Sequence, residues 1–146
     1  MAVIDVASLR LVTVQPEDTV QTAIARMVDE DVGSVAVCEG TRLVGIFTER
    51  DVLRLASRGV QLGDVSVREV MTTQLVTVHP DDGIVAVAHL MGERRIRHVP
   101  VLEGENLVGM IGIRDVLGVL AERLWAARDE EARETVRELL ARPPRA

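Results

Sequence analysis

The sequence contains no lysine, and all 17 of its basic residues are arginine. That absence removes the phosphate-binding lysine of nucleotide-hydrolysing loops, the Schiff-base lysine and the lysine general base. Tyrosine is also missing, and Phe47 and Trp125 are the only aromatic rings, so the chain lacks the platforms on which single-stranded bases stack. A net charge of −6 repels a long polyanion, and no nucleic-acid partner is expected. Cys38 is the single cysteine, which excludes an intramolecular disulfide and points to a reducing compartment. No apolar run approaches the roughly 20 residues that a membrane-crossing helix needs. Met1 to Leu9 carries Asp5 and no basic start, so a cytoplasmic location without membrane contact is the expectation. No His, Cys or carboxylate cluster has metal-ligand spacing, and no nucleophile stands with a base and an orienter. The chain therefore reads as neither a metalloprotein nor an enzyme, and no catalytic cofactor is expected.

What is present is an ordinary globular composition, 47% hydrophobic and 27% charged, in a length that suits one compact domain or two small units sharing a core. The chain is one motif written twice. Leu11-Val12-Thr13-Val14-Gln15-Pro16-Glu17-Asp18 returns 64 residues later as Leu75-Val76-Thr77-Val78-His79-Pro80-Asp81-Asp82. The same shift maps Met27 on Met91, Leu43-Val44-Gly45 on Leu107-Val108-Gly109, and Arg50-Asp51-Val52-Leu53 on Arg114-Asp115-Val116-Leu117. A register held that long without a gap marks an internal duplication.

Each copy reads as short strand, helix, strand, strand, helix. Asp18 stands as an N-cap before Val20, Ala23, Ile24, Met27 and Val28, one apolar helix face, and Asp82 does the same before Ile84, Val87, Ala88, Leu90 and Met91. Ser34 to Cys38 and Leu43 to Thr48 form a hairpin turning at Gly40; Val99 to Leu102 and Leu107 to Ile113 form one turning at Gly104. A helix follows each hairpin, over Glu49 to about Arg58 and from Arg114 onward. Residues 1–58 are thus the first motif, 59–66 a linker and 67–120 the second. Residues 121–146 are a tail of one or two amphipathic helices, marked by Leu120, Leu124, Ala127, Val136 and Leu139-Leu140 and ended by Pro143-Pro144. The fold class is α/β of the α+β kind: two β-α-β-β-α motifs paired by pseudo-twofold symmetry. Neither unit buries enough apolar surface alone, and pairing creates two equivalent clefts.

The segment Gly45-Ile46-Phe47-Thr48-Glu49-Arg50-Asp51 runs from a strand end into a helix, where free amides and the helix dipole favour phosphate. Asp51, one turn on, can accept both hydroxyls of a ribose. Thr48 and Asp51 also read as a capping pair. In copy two Gly112 replaces the threonine while Asp115 stays, so the acid persists without its reciprocal partner. His79 reads as a turn residue, His89 as a surface or rim histidine, and Cys38 as an inert core thiol. Arg94 and Arg95 read as a solvated face beside a helix end.

Together the strand Leu-Val-Thr-Val-x-Pro, Arg97-His98-Val99-Pro100-Val101, Gly-x-x-Thr-x-x-Asp and the lead-in Val67-Arg68-Glu69-Val70-Met71-Thr72 resemble the signature of tandem CBS domains, the Bateman module. The resemblance covers Val3 to about Leu120. It implies two clefts for adenosine ligands such as AMP, ADP, ATP, NADH or S-adenosylmethionine, and a homodimer that signals to a regulated protein, as in energy sensing. By resemblance, Asp51 holds the ribose, Thr48 the ribose or phosphate, and Ile46 packs on adenine, with Met71 and Val76 lining the base and Arg97 and His98 facing the phosphates. The other cleft uses Asp115, Ser34 and Val12. Its Gly112 has no hydroxyl where the first copy has Thr48, and Gly33-Ser34 stand in place of Arg97-His98, so it ranks second and is expected to be weaker for polyphosphates, or empty. The rival reading is a constitutive dimerisation scaffold with vestigial clefts; a small nucleotide-converting enzyme is the third.

Overall fold

The computed structural model describes residues 1–126 and 130–141. Its centre is a five-stranded sheet in the order β1-β2-β3-β5-β4. The strands are β1 (Thr13–Val14), β2 (Ser34–Glu39), β3 (Arg42–Thr48), β4 (His98–Glu103) and β5 (Asn106–Gly112). Among the described residues six α-helices accompany them: α1 (Val20–Asp29), α2 (Glu49–Ser57), α3 (Val67–Val70), α4 (Ile84–Arg94), α5 (Ile113–Ala126) and α6 (Glu130–Ala141). Val3–Asp5 forms a single 3₁₀ turn.

Both hairpins form where β-branched runs flank a glycine, and Gly40 and Gly104 adopt φ of 63° and 65°, the left-handed region in which a Cβ is strained. Each hairpin carries a register shift at the same place, Val37/Cys38 in one and Val101/Leu102 in the other. The duplication therefore extends to the irregularities. It is incomplete at the first strand: Thr13–Val14 pairs in parallel with Ala36–Val37, while its counterpart is reduced to one bridge between Val78 and Val101.

The two copies meet in the sheet only at Arg42 and Asn106. Above that seam lies a small apolar cluster of Ala36, Cys38, Leu43 and Leu107. Each copy has its own larger core, one around Val14, Met27, Val35 and Phe47, the other around Ile84, Met91, Val99 and Ile111. The lead-in segments are exchanged between them. Val67, which precedes copy two in sequence, is fully buried in the core of copy one, and Val3, which precedes copy one, is fully buried in the core of copy two. The backbone repeats the exchange: Thr72 bridges Ile46, and Ser8 bridges Met110. The connecting residues are tied as well, since Val20 and Gln21 donate to the carbonyls of Val65 and Leu62.

Helix starts differ from the sequence expectation. The caps are Thr19, whose hydroxyl accepts from Thr22 N–H, and Gly83. Asp18 and Asp82 are held one residue earlier, each accepting the N–H three residues back, from Gln15 and His79, at 2.8 Å. A carboxylate that closes the Pro-containing turn is not free to cap the helix. Of the expected core stripe, Val28 instead stands 72% exposed. In the tail, Leu120, Leu124 and Val136 are half-buried. Ala127, the side chains of Leu139 and Leu140, and Pro143-Pro144 lie outside the described residues. Among the described residues no helix is long and apolar enough to cross a membrane.

Candidate functional site

The two acids sit alike on the backbone and differently in their surroundings. Asp51 Oδ2 accepts from the Thr48 N–H at 2.9 Å and from the Thr48 hydroxyl at 3.3 Å. Its Oδ1 stands 3.8 Å from Arg54, and the residue is 8% exposed. Asp115 Oδ2 accepts from the Gly112 N–H at 3.0 Å. Gly112 offers no hydroxyl, and among the described residues Asp115 Oδ1 has no hydrogen bond, while Asp115 itself is exposed. Each acid thus spends Oδ2 on its own helix start; Asp51 Oδ1 keeps an ion pair with Arg54, whereas Asp115 Oδ1 has no partner among the described residues.

The next amides are also engaged. Glu49 N–H donates to the Gly33 carbonyl at 3.1 Å and Ile113 N–H to the Arg97 carbonyl at 2.8 Å. The first amides after each hairpin are therefore not the open anion cradle that a strand-to-helix junction suggests. Charge recognition falls to side chains.

A cavity of about 900 Å³ opens between the copies at Asp115. Its walls include Val12, Ser34 and Asp115, the three residues assigned to the second-ranked cleft, and also Arg97 and His98, assigned to the first. Thr48, Asp51, Ile46, Met71 and Val76 are not in its walls. The Met71 side chain lies on Gly45, where an added Cβ would come within 2.5 Å of its sulfur, and Ile46 exchanges backbone hydrogen bonds with Thr72. Ala7 holds the position equivalent to Met71, so the Asp115 side is less filled. On the Asp51 side, Arg50 also reaches the Arg95 carbonyl at 3.4 Å.

The cavity has an apolar end and a polar end. Leu11, Val12, Ala36, Leu107 and Met110 form the first, continuous with the apolar cluster over the seam. Gly33, Ser34, Glu49, Arg97, His98, Arg114 and Asp115 form the second. Two glycines seat the imidazole there. An added Cβ at Gly33 would lie 3.1 Å from His98 Nε2 and would overlap the Glu49 carboxylate; one at Gly112 would lie 3.8 Å from His98 Cδ2. His98 thus spans the two motifs. Burial holds its pKa below the ordinary imidazole range; Glu49 and Asp115 oppose that shift, and Arg97 and Arg114 add to it. Neither Arg97 nor Arg114 has an ion-pair partner among the described residues, whereas Arg10, also in the wall, is paired to Glu30 at 3.0 Å.

Sequence reasoning assigned no role to Glu49 or Arg114. The signal was in the repeat: the shift of 64 sets Glu49 against Ile113 and Gly33 against Arg97, so a charge and a gap appear on one side only. The remaining candidates stay peripheral. His89 pairs with Glu93 at the surface, His79 accepts from Asp81 N–H in its turn, and burial raises the Cys38 thiol. Among the described residues no group of three or more side chains is arranged to hold a metal ion.

Comparison with known proteins places this geometry in a family. YhcV of Bacillus subtilis, a CBS domain-containing protein, is 34% identical over 113 residues, covering 77% of this chain and 80% of YhcV. A protein with CBS domains from Burkholderia ambifaria superposes with a TM-score of 0.78 at 31% identity, over 84% of this chain and 96% of that one. The CBS domain pair of MJ0100, solved with 5'-methylthioadenosine and S-adenosyl-L-methionine, shares the fold at a TM-score of 0.78 and 22% identity, over 84% of this chain and 98% of that one. With residues 3–58 and again 67–122 each matching the CBS domain, this chain belongs to the CBS-domain family as a tandem pair.

Proposed function

We propose that the chain is a regulatory module that binds an adenosine-type ligand in the cavity at Asp115 and signals through a shift between arrangements of its two motifs. The observation that carries this reading is the half-free Asp115 carboxylate at the junction of an apolar and a polar wall. In this reading the purine packs against the apolar wall that includes Val12 and Met110, and a ribose diol donates to Asp115 Oδ1. Such charge-assisted bonds contribute about 1.5 to 3 kcal/mol each. The adenosyl ligands bound by the MJ0100 pair, which has the same fold, support the choice of ligand class. Asp51, with Thr48, serves in this reading mainly as the cap of α2. The homodimer and the regulated protein implied by the resemblance remain part of the proposal. Coupling of ligand to partner is limited by the difference in affinity between arrangements, typically about 1 to 3 kcal/mol.

A panel of adenosine, AMP, ADP, ATP, NADH and S-adenosylmethionine tested by thermal shift decides the matter. A ligand at 100 times its dissociation constant stabilises by about 2.7 kcal/mol. A shift with at least one adenosyl compound, lost in Asp115→Ala, is expected. No shift with any of them leaves the scaffold reading, which the 92% exposure of Trp125 on α5 favours.

A further inference from the structure

The polar end of the cavity is asymmetric in charge, and that asymmetry bears on which adenosyl ligand it accepts. With the base against the apolar wall and the ribose on Asp115, the 5' substituent is placed among the charged residues that share the wall with Asp115: Asp31, Glu49, Arg97, His98 and Arg114. Arg97 and Arg114 have no ion-pair partner among the described residues, so they supply two cations to one anionic group. Opposing them, the Glu49 carboxylate lies over Gly33 and faces the imidazole of His98, a position open only because residue 33 has no side chain. In the other motif these two positions carry Ile113 and Arg97, so the duplication supplies its own contrast.

We propose that Glu49 is a specificity-determining residue that limits this site to an adenosine ligand bearing a single phosphate, with Arg97 and Arg114 reading that phosphate and Glu49 repelling a second and third. The proposal rests on the reading of the cavity as an adenosyl site. One phosphate near the two guanidinium groups gains more attraction than it meets repulsion, but a longer chain extends toward Glu49. The neutral His98 beside that carboxylate offers no compensating charge near pH 7. The cavity is open to solvent, so the repulsion is the modest kind found between exposed charges, about fivefold in affinity per contact.

Titration calorimetry of the full chain with adenosine, AMP and ATP, without divalent cations, tests this in the natural protein, Glu49→Gln and Arg97→Ala. AMP is expected to bind at least about fivefold more tightly than ATP. Glu49→Gln should shrink that AMP-to-ATP ratio to near unity, and Arg97→Ala should lower the AMP-to-adenosine ratio. ATP binding as tightly as AMP in the natural protein, or an AMP-to-ATP ratio unmoved by Glu49→Gln, overturns the proposal while leaving the adenosyl reading standing. Failure of all three compounds to bind overturns the proposal, and the adenosyl reading then stands or falls with NADH and S-adenosylmethionine in the thermal-shift panel. Thermal melting of each ligand-free variant confirms that it is folded, and Glu49, already exposed on the first turn of α2, tolerates the amide.

Discussion

A single carboxylate oxygen separates the two halves of this molecule. Asp51 and Asp115 each spend Oδ2 on a backbone amide, but Asp51 Oδ1 is paired with Arg54, and of the two acids it is Asp115 that lines the cavity of about 900 Å³. Asp115→Ala is therefore expected to weaken adenosyl binding by about 2 kcal/mol, roughly thirtyfold, as read by calorimetry. Asp51→Ala should instead act on stability, by about 1 kcal/mol through loss of the α2 cap, as read by urea unfolding. The imidazole between Gly33 and Gly112 gives a pH dependence of definite sign. Burial lowers the folded-state pKa of His98, so the unfolded chain takes up the proton first. The contribution to stability is present above the ordinary imidazole pKa of about 6.5 and is lost as pH falls through the lower folded value. Denaturant midpoints of the ligand-free protein should fall across that window, and His98→Gln should flatten the fall. A bound phosphate favours protonated His98, so AMP affinity should rise over the same interval.

Strands and helices were legible where their periodicity was strong. Alternation around Gly40 and Gly104 gave both hairpins, and the three-four spacing from Val20 and from Ile84 gave α1 and α4. The caps were misplaced by one residue because Asp18 and Asp82 have a competing local use: each closes the turn that precedes the helix. Thr19→Ala should accordingly cost about 1 kcal/mol of stability, measured by chemical denaturation, as the loss of a side-chain acceptor for Thr22 N–H. The open cleft was not legible from either motif alone. It depends on what crosses from one copy to the other: Met71 lying on Gly45 where the opposite side has Ala7, and Arg50 reaching the Arg95 carbonyl. The Thr48 hydroxyl and the Arg97-His98 pair put the Asp51 cleft first, because local chemistry there is richer. The cavity at Asp115 opens where side chains are smaller, at Gly33, Ser34 and Gly112.

Across the whole molecule, exchange of the lead-in segments turns two marginal units into one. Val3 completes the core of copy two and Val67 that of copy one, so neither core is complete without the other's lead-in. Unfolding should be a single cooperative transition, and Val67→Ala, which hollows only copy one, should lower that one transition by about 2 kcal/mol without splitting it. Scanning calorimetry with van't Hoff analysis checks this. The same coupling gives a ligand in the cavity leverage, since it touches both copies at once: Val12 and Ser34 from one, Asp115 from the other. The most direct measurement is a crystal structure of the chain grown with AMP. The ribose should lie on Asp115 with the base against the apolar wall that includes Val12 and Met110 and the phosphate by Arg97. AMP bound against Asp51 with the Asp115 cavity empty, or no AMP in either place at saturating concentration, would contradict the account.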